Sequence, residues 1–216
     1  MLEAITFNKD WRNWKKGETV EFRPDINLLV GDQGSGKSSL IQAICEFREK
    51  QSEYARRIKF YISDIERSIK QKSTTKPKMD ETILTIKTTD DKGINIGVYD
   101  FEKDNLRTLS YFKEGCTGVQ IAMKFMSHGQ ANMSMLEKLH QSDIGLYIMD
   151  EPDTALSIKS IYKLIDILKK TQNQLILAVH NPILISSVNE VYSVEHRQWM
   201  KSENFIKECE KCLDKN

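Results

Sequence analysis

The sequence predicts an α/β fold with a mostly parallel sheet flanked by helices, on three observations. Residues Gly31-Asp32-Gln33-Gly34-Ser35-Gly36-Lys37-Ser38 fit the pattern G-x-x-x-x-G-K-[ST] between an apolar strand pattern at 26–30 and a helix pattern from Lys37. From Gly145 onward strand and helix patterns alternate, with strands at 145–149, 174–179 and 191–194 and helices at 157–170 and 182–188. Alternation of that kind builds parallel strands joined by crossover helices. A chain of 216 residues with 39% hydrophobic content is long enough to bury a core in one domain that carries an insertion.

Before the glycine loop, residues 2–7 and 19–22 read as short strands leading to the strand at 26–30. The helix from Lys37 is expected to run to Phe47. A second helical pattern follows, with Phe47, Tyr54, Ile58, Tyr61 or Ile62, Ile65 and Ile69 at three-, four- and seven-residue steps. Its other face is basic: 48–78 holds Arg48, Lys50, Arg56, Arg57, Lys59, Arg67, Lys70, Lys72, Lys76 and Lys78 against only Glu49, Glu53, Asp64 and Glu66. A solvated amphipathic face and a phosphate-binding surface both fit such a run. Residues 72–78 read as a loop. Strands are then expected at 82–88 and 94–99, joined as a hairpin through Asp90-Asp91-Lys92-Gly93. A further strand at 106–112 and a helix at 117–126 complete the stretch before the alternating half.

The net charge of +1 points to no particular partner. No apolar run approaches the roughly 18 residues that span a bilayer. Nor does the N-terminus carry a basic segment followed by an apolar one, so a soluble, cytoplasmic chain is expected. The four cysteines make no disulfide framework in that setting. Cys209 and Cys212 form one C-x-x-C, which is half of a zinc site or a pair of idle thiols.

The glycine loop carries the chemistry. Glycines let backbone N–H groups curl around phosphate oxygens, and the helix that follows adds the partial positive charge of its N-terminus. Lys37 would reach the β- and γ-phosphates, and the Ser38 hydroxyl would ligate Mg²⁺. Leu146-Tyr147-Ile148-Met149-Asp150-Glu151 is an apolar strand ending in two carboxylates. Such acidic pairs are common turn formers, but beside a glycine loop Asp150 fits a magnesium carboxylate and Glu151 the general base for the attacking water.

Three more stretches extend the pattern in order: Met126-Ser127-His128-Gly129-Gln130, Pro152-Asp153-Thr154-Ala155-Leu156-Ser157, and Ala178-Val179-His180-Asn181-Pro182. With these the chain resembles the ABC-type ATPase superfamily, and within it the small ATPases of the RecF/SMC-like branch with an S-H-G-[EQ] signature. The likeness covers 1–47 and 117–194. It implies a single ABC-type ATPase domain over 1–216, a P-loop NTPase of the ABC-ATPase head type. Its nucleotide core would be those two segments, with 48–116 an inserted basic helix and hairpin and 195–216 a C-terminal tail. An antiparallel sub-sheet would accompany the parallel sheet.

The resemblance also implies site residues. ATP contacts are expected from Gly31, Asp32, Gln33, Gly34, Ser35, Gly36, Lys37, Ser38 and Ser39, with Ser38 and Asp150 on Mg²⁺ and Lys37, Glu151 and His180 in catalysis. Two protomers would pack head to tail around two ATP molecules, with Ser127, Gly129 and Gln130 of each facing the γ-phosphate on the other. Ser157 would touch the opposite chain. Arg12 is the candidate basic contact to nucleotide, and Trp11 or Trp14 either stacks the base or packs the first sheet. No Q-loop glutamine is identifiable, and His128 stands where transporter subunits carry glycine. Two uses follow: an ATPase acting on DNA through the basic 48–78 segment, or an ATP-dependent switch for a separate effector protein. A transporter subunit fits less well.

Overall fold

The computed structural model describes residues 1–47, 82–89, 96–100, 127–137 and 145–211. The strands are β1 (Leu2–Phe7), β2 (Thr19–Glu21), β3 (Ile26–Val30), β4 (Leu84–Thr88), β5 (Ile96–Asp100), β6 (Leu146–Asp150), β7 (Gln174–Ala178), β8 (Glu190–Ser193) and β9 (Gln198–Lys201). The helices are α1 (37–47), α2 (His128–Leu136), α3 (Ile158–Lys170), α4 (Pro182–Ile185) and α5 (Ser202–Lys211).

Among the described residues the main sheet has six strands, in the order β5-β6-β7-β3-β8-β9. All neighbouring pairs from β5 to β8 are parallel, and only β9 runs antiparallel, on β8. Both faces are covered, so the central strands are mostly apolar rather than alternating, with Asn27 of β3, Asp150 of β6 and Gln174 of β7 as buried polar exceptions. On one face Leu29, Ile148, Ile176 and Ala178 pack with Leu40, Ile41 and Ile44 of α1 and with β1. On the other, Leu28, Val30, Tyr147, Met149, Leu175 and Leu177 pack with Ile161, Leu164 and Leu168 of α3 and with α2. A one-residue slip would exchange the two cores, so the register is strongly specified.

A second, antiparallel sheet in the order β2-β1-β4 forms the expected sub-sheet. Gln174 fastens the two together. Its buried side chain accepts from Leu2 N at 2.9 Å and donates to the carbonyls of Leu2 and Arg23, each at 2.7 Å.

Three expectations are corrected. β4 pairs with β1 and β5 with β6, in different sheets, so these strands are not a hairpin. The 182–188 helix is only Pro182–Ile185, with Asn181 as its N-cap accepting from Ile183 N. The expected tail contributes β9 to the main sheet, and α5 packs against β8 and β9. The basic segment 48–78, the strand at 106–112, the helix at 117–126, Cys116 and Cys212 lie outside the described residues.

Candidate active site

Parallel strands end at one edge of a sheet, and loops meet there. Here β3 opens into the glycine loop, β6 into Asp150 and Glu151, β7 into Val179 and His180, and β8 into Val194 and Glu195. Because β7 lies between β6 and β3, the His180 turn is flanked by the acidic strand end and the glycine loop.

Gly31, Gly34 and Gly36 all take left-handed φ values, of 146°, 81° and 109°. Side chains rarely adopt these, which is why the loop is glycine-rich. A Cβ at Gly36 would also approach Asn13 Cβ at 3.1 Å and Trp14 Nε1 at 3.2 Å. Lys37 opens α1 and folds back over the loop, donating to Gly31 O at 2.7 Å and Asp32 O at 3.0 Å. Burial lowers its ammonium pKa, and the carboxylates of Glu151, Asp150, Glu195 and Asp32 oppose that shift. Asp32 and Gln33 are exposed, while Ser39 is buried and accepts at its carbonyl from Trp11 Nε1.

The Ser38 hydroxyl donates to Asp150 Oδ1 at 3.2 Å, joining two sequence motifs 112 residues apart. Both are hard oxygen donors of the kind magnesium prefers, so the pair fits that ion. The backbone of β5 ends at residue 100 in register with Asp150. Glu151 leaves β6 with φ 53°, strained for a residue with a side chain. Its Oε2 accepts from Thr154 Oγ1 at 3.1 Å, and its Oε1 lies 3.5 Å from His180 Nε2. The His180 turn is held by Asp153, whose Oδ2 accepts from the backbone of His180 and Asn181 at 3.0 and 2.7 Å.

Ser127, Gly129 and Gln130 stand apart from this cluster. Ser127 and Gln130 form a reciprocal capping box on α2: Gln130 N donates to Ser127 Oγ at 3.3 Å, and Ser127 N donates to Gln130 Oε1 at 2.8 Å. The S-x-x-Q spacing signals such a cap, which the sequence reading did not use. A Cβ on Gly129 would lie 2.5 Å from Ala155 O, so glycine lets α2 press on the 153–156 loop. Asn132 Nδ2 donates to Thr154 O at 3.2 Å in the same contact. Among the described residues no hydrogen bond joins Ser127, Gly129 or Gln130 to residues 31–39. Ser157 is the N-cap of α3, its Oγ accepting from Ser160 N at 3.2 Å.

The Trp11–Trp14 turn settles one alternative. Trp14 is fully buried, stacked on Phe7 with centroids 5.0 Å apart, and Arg197 lies 3.7 Å over its ring. With both faces covered it cannot stack a base. Arg12 is exposed, with φ 52°, and lies 5.5 Å from the Trp11 centroid. No helix among the described residues is long and apolar enough to cross a membrane.

The sequence model of the RecF/RecN/SMC N-terminal domain matches residues 1–203. No curated protein matches the chain by sequence. Among solved structures, cbiO1 from Clostridium perfringens, part of the ABC transporter complex cbiONQ, is 14% identical with a TM-score of 0.53, covering 99% of this chain and 94% of that one. A nucleotide-free ATP-binding cassette from an ABC transporter is 16% identical with a TM-score of 0.53, covering 96% and 94%. An SMC head domain from Thermotoga maritima is 13% identical with a TM-score of 0.49, covering 89% and 94%. At these identities the likeness to the two cassettes with a TM-score of 0.53 is one of fold.

Proposed function

The chain belongs to the RecF/RecN/SMC N-terminal domain family, within the ABC-type ATPase superfamily, and on that premise we propose that it binds and hydrolyses ATP and dimerises around it. The observation that carries the reading is the Ser38–Asp150 contact beside the Glu151–His180 pair, which brings the elements of phosphoryl transfer to one sheet edge.

In this reading the amides of 31–39 and the Lys37 ammonium hold the phosphates, while Ser38 and Asp150 hold magnesium. That ion, when bound, supplies neutralising charge at the phosphate oxygens. Glu151 takes a proton from the attacking water as that water adds to the γ-phosphorus, and ADP leaves with its β-oxygen. His180 orients the Glu151 carboxylate and senses the γ-phosphate. Arg12 is the proposed outer contact to nucleotide. Ser127, Gly129 and Gln130 bond within α2 or pack on the 153–156 loop, and a second copy would bring them to the first copy's phosphates.

Glu151→Gln keeps the shape of the site and removes the base. It is expected to lower the steady-state ATPase rate about 100-fold or more while ATP still binds. Equal turnover by the variant would remove Glu151 from its role. The basic residues of 48–78 support an action on DNA. Duplex affinity should then fall steeply between low and high salt. A dimer indifferent to DNA would favour the effector-switch reading.

A further inference from the structure

Arg197 sits in the 194–197 turn between β8 and β9 with φ 55°, a left-handed position that hairpin loops usually give to glycine. An arginine in that strained conformation points to a use for its side chain. Its guanidinium lies 3.7 Å over the Trp14 ring, donates to the carbonyls of Asn13 and Val194, and reaches Glu18 Oε1 at 3.2 Å. The turn at 11–14 is therefore fastened to the β8–β9 turn.

That same 11–14 turn holds the phosphate loop. Trp14 Nε1 donates to Gly36 O at 3.0 Å, Asn13 Nδ2 to Gly34 O at 2.5 Å, and Trp11 Nε1 to Ser39 O at 3.0 Å. In a trans peptide C=O and N–H point in opposite directions. Holding Gly36 O on the Trp14 side thus turns the Lys37 N–H to the other side of the loop. Beyond Arg197, Glu195 Oε1 accepts from Asp32 N at 2.9 Å, gripping the loop at its opening.

We infer that Arg197 is a positioning residue for the phosphate loop, acting through Trp14 and Asn13, with Glu195 bracing the loop's first turn. Without the guanidinium, Trp14 and Asn13 lose their outer support, the Gly34 carbonyl loses its side-chain donor, and the Gly36 carbonyl is left to the single helical bond it accepts from Leu40 N at 3.0 Å. The amides that meet phosphate are then ordered only when nucleotide binds. Affinity falls, while Glu151 and His180, in the turns that follow β6 and β7, keep their arrangement. The inference rests on the ATP-site reading for its kinetic consequence, but not for its structural one.

Two readouts separate those levels. Amide hydrogen exchange of residues 31–39, measured on the full chain without nucleotide, should be about tenfold or more faster in Arg197→Gly than in wild type. Glycine relieves the backbone strain at 197, so faster exchange there reports the lost side chain rather than a strained turn. In ATP turnover, Arg197→Gly should raise KM about tenfold with kcat within about threefold. Arg197→Lys keeps the charge but not the fork, and should fall between; it also serves if the glycine variant fails to fold. Unchanged exchange at 31–39 in both variants overturns the inference, as does a lowered kcat at wild-type KM. A wild-type chain that turns over no ATP while Arg197→Gly still speeds exchange would overturn the ATPase reading and leave the brace standing.

Discussion

Glu151 and Tyr192 show two ways in which a single residue departs from a relaxed fold. Glu151 spends about 1 kcal/mol or more on a left-handed backbone, in a turn that sets its carboxylate between Thr154 and His180. Tyr192 buries a hydroxyl with no hydrogen-bond partner among the described residues, and burial pushes its pKa up to about 12. Nearby Arg197 opposes that rise. A raised acid pKa means that the folded state holds its proton where the unfolded state, titrating near 10, has lost it. The contribution is present below pH 10 and is lost as pH rises toward 12. Tyr192→Phe should therefore match or exceed wild-type stability at neutral pH, since an orphaned donor is removed. It should also destabilise less steeply between pH 10 and 12; thermal melts across that range check both points.

At the scale of elements, Gln174 carries a disproportionate load. It supplies one acceptor and two donors to the backbone of Leu2 and Arg23, linking the antiparallel sheet to the main one. Gln174→Leu would leave buried backbone groups without partners and should cost about 3 kcal/mol in urea unfolding. A loss below about 0.5 kcal/mol would show that the sheets are joined by apolar packing alone.

What was legible at this scale follows from what is local. The glycine loop lies between its own strand and helix, and the acidic pair ends an unbroken apolar run, so both read directly from the chain. The order of motifs supplied His180, which a lone histidine after a strand would not. Strand partners are not local. Asp90-Asp91-Lys92-Gly93 has good turn chemistry, yet β4 joins β1 and β5 joins β6. Gln198-Trp199-Met200-Lys201 is four residues long and does not alternate, so it does not announce a sheet edge, and 195–216 read as a tail. Arg197 and Glu195 were missed for the same reason, since contacts from 197 to 13 and from 195 to 32 depend on β8 lying beside β3.

At the scale of the whole molecule, α2 explains why one chain is half of the proposed machine. Its capping box is closed on itself, and its glycine presses on the 153–156 loop, which Asp153 ties to the His180 turn. Asp153 Oδ1 is buried with no hydrogen-bond partner among the described residues, so this link between α2 and the His180 turn is not fully satisfied. In the proposed dimer a γ-phosphate sensed at His180 bears on the 153–156 loop and, through it, on the α2 face offered to the other chain. In that proposal ATP acts by stabilising the closed pair, and hydrolysis releases it. The solution mass of Glu151→Gln at saturating ATP and magnesium, against the same variant without nucleotide, tests this most directly. The account predicts that the mass doubles with ATP and returns to the monomer value when ATP is removed. A variant that binds ATP and keeps the monomer mass would contradict it.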